Sequence, residues 1–134
     1  IFFLKGGVFM RLNPDCIRDI LITVEENTGF TSYMRYPNKT EEYQLLTSYS
    51  NDEVLYHIKQ CELTGLLTKV EWFLGGACLI IDLSPEGHKF LADIRSDNTW
   101  NKTKEISKKV GSSSISTLKE IATGVITELI KSQF

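Results

Sequence analysis

His57 and Cys61 stand four residues apart, a spacing that stacks both side chains on one helix face and would offer a metal ion two ligands. A structural zinc site needs four. The remaining donors, Cys16, Cys78 and His88, lie far apart in the chain and form no second close-spaced pair. The spacing therefore favours a small core thiol and a packed or capped histidine over a metal site. A second constellation is basic. Arg95, Lys102, Lys104, Lys108 and Lys109 fall within fifteen residues, with Trp100 among them and Asp97 and Glu105 as the opposing acids. Cations along a helix with an aromatic side chain between them suit phosphate tracking and base stacking on a nucleic acid. The same residues also make a solvated helix face with Trp100 buried. No Ser elbow, phosphate loop, HExxH or dinucleotide fingerprint occurs. Glu53 with His57, and Asp93 with Glu86-Gly87-His88, are ordinary helix-surface neighbours. The expectation is a non-enzymatic protein without a cofactor.

These residues sit in a chain of 134 residues, with 42% hydrophobic and 24% charged residues and a net charge of -2. That is one globular domain's worth, large enough to bury a core without staples, and without the global positive field of many nucleic-acid or membrane binders. Three cysteines are an odd count with no CxxC pair, so reduced thiols in a cytoplasmic protein are expected. No apolar run approaches the ~20 residues of a membrane span. Ile1-Phe2-Phe3-Leu4 is cut off by Lys5-Gly6-Gly7, and Met10-Arg11-Leu12-Asn13-Pro14 reads as a natural start. Residues 1–9 are expected to be an N-terminal extension, followed by a domain over 10–95 and a helical extension over 96–134.

The elements follow from caps and periods. Asn13-Pro14-Asp15 caps a helix over about 14–28, with Ile17, Ile20, Leu21 and Val24 on its buried face and Gly29 as a left-handed stop. Tyr43, Leu45, Thr47 and Tyr49 alternate as in a short strand. Ser50 and Glu53 form a capping box for a helix carrying Val54, Leu55, Ile58 and Cys61 and ending at Gly65. Val70, Trp72 and Leu74 share a strand face, Gly75-Gly76 makes a hairpin turn, and Ala77, Leu79, Ile81 and Leu83 alternate on the return. Ser84-Pro85-Glu86 starts a helix with Phe90, Leu91 and Ile94 inside, which the polar stretch 96–99 breaks or bends. Trp100, Thr103, Ile106 and Val110 then line a further helix, and a final one follows the serines at 112–114.

Helix, short strand, helix, hairpin and further helices make an α+β order that resembles the winged helix, a three-stranded ribbon with a β-hairpin wing packed on helices. Residues 56–67, Tyr-His-Ile-Lys-Gln-Cys-Glu-Leu-Thr-Gly-Leu-Leu, resemble the end of a recognition helix leading into the wing. Met10 to Leu21, Tyr56 to Gln60, Glu86 to Arg95 and Trp100 to Lys104, with the last helix, are similar to a small bacterial and prophage family of unknown function. The resemblance implies a winged-helix-like fold with additional C-terminal helices and a mobile-element context in bacteria. It supplies no catalytic residues.

Two function classes follow. The first is a winged-helix regulator binding DNA through Arg95, Trp100, Lys102, Lys104, Lys108 and Lys109. The second is a protein–protein interaction module on a degenerate winged-helix scaffold. Residues 30–49 hold turn signals and a strand where a helix-turn-helix needs its second helix. The recognition-like helix also carries one lysine, Lys59, against Asp52, Glu53 and Glu62. Both features favour the second class; the basic segment and the frequency of nucleic-acid binding among winged helices favour the first, which is the expected function, with the second as its alternative. The wide apolar stripe of Leu118, Ile121, Ala122, Val125, Ile126, Leu129 and Ile130 predicts a homodimer through residues 115–131.

Overall fold

The structure is a computed structural model that describes residues 10–134; the expected extension over 1–9 lies outside the described residues. Helix α1 spans Pro14–Asn27. The Asn13 side chain accepts from the backbone N–H of Asp15 and Cys16, so the expected cap forms. The helix does not stop on a left-handed Gly29. Thr28 ends it in an extended conformation, because its hydroxyl donates to the Val24 carbonyl at 2.7 Å and closes the last turn.

Strand β1 is Met34–Tyr36, and Gln44–Leu46 forms a single 3-10 turn. This corrects the strand expected at 43–49. Tyr43 and Leu46 are buried while Leu45 and Thr47 are exposed, a spacing of three that suits the tighter helix. Met34 and Tyr36 alternate with exposed Arg35 and take the sheet position instead.

Helix α2 is Asn51–Leu63, capped by Ser50 on the Glu53 N–H. It exits through Gly65 at φ 81°, a left-handed turn that costs glycine little. Strands β2 (Leu67–Phe73) and β3 (Ala77–Leu83) flank the Gly75-Gly76 turn. The three strands lie in the order β1-β3-β2, all antiparallel. The buried face of β3 is Cys78, Ile80 and Leu83, where alternation had pointed to Ala77, Leu79, Ile81 and Leu83. Residues 77–81 are apolar on both faces, so period alone does not choose between them. Pairing of Ile80 with both Met34 and Val70 does. Register shifts between Leu67 and Val70 also leave β2 with only those two residues buried.

Helix α3 (Pro85–Ile94) ends at Arg95, and Ser96 caps a separate helix α4 (Asp97–Val110). Helix α5 spans Ile115–Lys131 behind the Ser114 cap. One buried cluster runs through the described residues. Trp100, Ile115, Leu118 and Ala122 belong to it together with Ile17, Ile20, Leu21 and Ile58. The described residues therefore form an α+β fold of five helices and one small antiparallel sheet. Among them no helix is long and apolar enough to cross a membrane.

Candidate functional site

The basic segment is largely consumed by the fold. Arg95 pairs with Glu25 at 2.7 Å, and this contact holds the Glu25 carboxyl below its usual range. Lys104 reaches Asp15 at 2.9 Å. Trp100 is 2% exposed and donates its indole N–H to the same Asp15 oxygen at 2.8 Å. The Arg18 and Lys104 cations lie 5.9 and 5.6 Å from its ring centroid. Burial alone would raise the Asp15 pKa, but the hydrogen bonds from Lys104 and Trp100 bring it below the ordinary value. Arg18 adds bonds to the Ile94 and Arg95 carbonyls and to Asp97, locking α1 to the α3–α4 corner.

Trp100 is thus a packing residue and offers no face for a base, which corrects the stacking expectation. An indole this deep in the α1–α4 seam gains more from burial than from solvent. Lys102 has Glu105 at 3.5 Å. Lys108 and Lys109 are exposed in the last turn of α4, where they complement the helix dipole, and make no ion pair among the described residues. Arg18 and Asp15, which organise this corner, carry no spacing signal in the sequence. Their partners are distant in the chain.

His57 is wholly buried with both ring nitrogens engaged. Nε2 accepts from the Asn13 backbone N–H at 2.8 Å, and Nδ1 donates to the Glu53 carbonyl at 2.7 Å. The ring therefore ties the α1 cap to α2. Cys16, Cys61 and Cys78 are free, buried thiols. Burial pushes Cys16 and Cys78 up to about 12 and Cys61 higher still. His88 is exposed on α3. Among the described residues no three metal-ligating side chains gather.

The second surface is the outer side of α2 with the β2–β3 hairpin. Leu63 and Leu74 are 67% and 103% exposed, and Trp72 is 37% exposed. Leu55 lies beside the Gly76 turn. Helix α2 and strand β2 carry four carboxylates, Asp52, Glu53, Glu62 and Glu71, against two amines, Lys59 and Lys69. Both amines are paired, Lys59 with Glu62 at 3.2 Å beside Trp72, and Lys69 with Glu71 at 3.4 Å on the other side of β2. Trp72 donates its indole N–H to Glu62 at 3.0 Å, with the Lys59 ammonium 5.1 Å from its ring. Exposed apolar side chains thus lie on two elements in which carboxylates outnumber amines and each amine is paired. Sequence reasoning about basic residues missed it. Its signal is a leucine at each of two glycine turns, Leu63 before Gly65 and Leu74 before Gly75, where polar residues are usual.

The family described as "Hypothetical protein (DUF2513)" matches residues 11–114. The chain belongs to this family. The match runs from just before α1 to the cap of α5, so it contains the whole sheet, α2 and the Asp15–Trp100 corner. A protein of Haemophilus influenzae (strain ATCC 51907 / DSM 11121 / KW20 / Rd), described as "Uncharacterized protein", is 28% identical over 124 residues, covering 90% of this chain and 99% of its own. No solved structure matches the chain.

Proposed function

We propose that this DUF2513 chain is a non-enzymatic protein-interaction module on a winged-helix scaffold, whose α2–hairpin face takes a basic, amphipathic segment of a partner protein. The scaffold reading rests on order and pairing. A helix, a strand, one helical turn, a second long helix and a hairpin follow in sequence, and the first strand pairs with the hairpin's second. The turn at Gln44–Leu46 stands where a helix-turn-helix has its second helix. Helix α2 stands in the recognition place and β2–β3 in that of the wing.

The observation that carries the interaction reading is the charge of that face. A nucleic-acid surface gains affinity by replacing counterions with unpaired Lys and Arg. Here both amines are already paired, and the N-terminal turn of α2 carries Asp52 and Glu53. Exposed Leu63, Trp72 and Leu74 on elements with an excess of carboxylates instead suit a helix with apolar anchors and cationic flanks. A nucleic-acid reading keeps Lys102, Lys108 and Lys109 alone of the basic segment. The buried free thiols support a reducing, cytoplasmic compartment, and a prophage or mobile-element context rests on the sequence resemblance. A second copy of the chain, paired through residues 115–131, is the other partner proposed, supported by the exposed Leu129 and Ile130 of α5.

Calorimetric titration with two designed helical peptides of equal length tests the module. One is Lys- and Leu-rich and the other Glu- and Leu-rich. Saturable binding of the basic peptide is expected, weakened by salt and by about tenfold in Leu63→Asp and Leu74→Asp. Equal binding of both peptides, or indifference to both substitutions, contradicts the reading.

A further inference from the structure

Helices α4 and α5 form an antiparallel hairpin whose outer side is an open cleft of about 670 Å³. Its walls include Ile106 from α4 and Ile121, Val125 and Leu129 from α5, with Gly124 leaving the α5 backbone accessible. The rim is charged and asymmetric. Lys102 stands on the α4 wall, with Glu105 at 3.5 Å, and Glu128 on the α5 wall, with Lys131 at 3.8 Å; all four side chains are more than half exposed, so these pairs exchange readily for contacts to a second copy. Leu129, in the cleft wall, and Ile130, next to it in the chain, are about half exposed in the last turns of α5. One helix thus supplies part of a hole and the knobs next to it, an arrangement suited to a self-complementary contact.

We infer that the cleft is the seat of a second copy of this chain, related by a two-fold axis that runs along the groove between α4 and α5. This rests on the pairing reading given above and names its surface. The axis direction follows from charge. Rotation about the groove lays α4 of each copy over α5 of the other, so Lys102 of each faces Glu128 of the other. A two-fold across the groove would lay α4 on α4 and α5 on α5 and bring like charges together.

The size fits a weak dimer. At 1.5 Å per residue the 14 and 17 residues of α4 and α5 are about 21 and 26 Å long. Side by side they offer a face of roughly 20 by 20 Å, since helices pack 8–10 Å apart. Two such faces total roughly 800 Å², below the size of stable interfaces and in the range of weak, transient ones, so dissociation at tens to hundreds of micromolar is expected.

Sedimentation equilibrium of the full chain from low to hundreds of micromolar is the test, with denaturant stability confirming that each variant folds. The wild type is expected to dimerise, and Leu129→Glu to weaken the dimer by about tenfold or more. Lys102→Glu alone and Glu128→Lys alone should each be monomeric, because each puts like charges at both rim contacts. An equimolar mixture of the two should dimerise, since the heterodimer restores both contacts. A wild-type monomer at the highest concentration overturns both this inference and the pairing reading. A dimer indifferent to Leu129→Glu, or singles that stay monomeric when mixed, overturns the cleft and its axis while leaving pairing through another surface.

Discussion

Gly87→Ala is a substitution whose sign separates packing from helix propensity. Gly87 is buried in the first turn of α3. A Cβ there would lie 2.1 Å from the Leu66 carbonyl oxygen and 3.0 Å from its carbon. That oxygen also accepts from the Ser84 N–H at 3.0 Å. Ser84 in turn accepts from the Gly87 N–H at 2.9 Å and donates to the Gly65 carbonyl. The start of α3 is therefore seated directly on the chain leaving α2, and the obstacle is backbone that cannot rotate away. Propensity alone gives alanine a gain of about 1 kcal/mol over glycine. Overpacking costs about 1–3 kcal/mol, and pushing Ser84 off Leu66 costs about 1 kcal/mol more. The net expectation is a loss of about 1–3 kcal/mol, read as a lower urea midpoint at unchanged slope. The reference is Gly124→Ala in α5, where a Cβ meets nothing within 4 Å. Measured at a concentration low enough for a monomer, it should gain about 0.5–1 kcal/mol. A Gly87→Ala protein as stable as the wild type would refute the close approach of α3 to Leu66.

Three further outcomes follow from the polar core and the thiols. His57→Leu keeps bulk but strips the Asn13 N–H of its acceptor, and should cost about 1–3 kcal/mol in urea unfolding. Asp15 has a lowered pKa, so its contribution is present above the unfolded value of about 3.9 and lost as pH falls through the folded one; Asp15→Asn should flatten the acid limb of stability against pH. The thiols are shifted the other way. Their stabilisation is complete below the unfolded thiol value of about 8.5 and disappears as pH climbs towards about 12. Native protein at pH 8 should leave all three unreactive to a thiol-titrating disulfide, with full reaction only on unfolding.

Much of the fold is legible in local sequence because the local signals are redundant. Asn13, Ser50, Ser84, Ser96 and Ser114 each place an oxygen on an amide at a helix start, and every long helix carries an apolar period. The sheet was legible only in part. Residues 43–49 alternate like a strand, but Tyr43 and Leu46 are the two that reach the core, and three-residue β1 is too short to show a period. The face of β3 depends on partners in β1 and β2, which no window of the sequence contains. The same limit governs the sites. A run of cations is visible as a run, whereas Glu25 and Asp15, which neutralise Arg95 and Lys104, lie 70 and 89 residues away in the chain.

The partner proposed for this molecule is a basic protein segment and not a nucleic acid. Fluorescence anisotropy of labelled duplex and single-stranded DNA, titrated with the chain at low salt, tests it most directly. Low salt is the condition that most favours phosphate contacts. No saturable binding is predicted for either probe. Saturable binding that weakens steeply with salt and is lost in a Lys108→Glu/Lys109→Glu variant would contradict the interaction-module function and assign the end of α4 to phosphate.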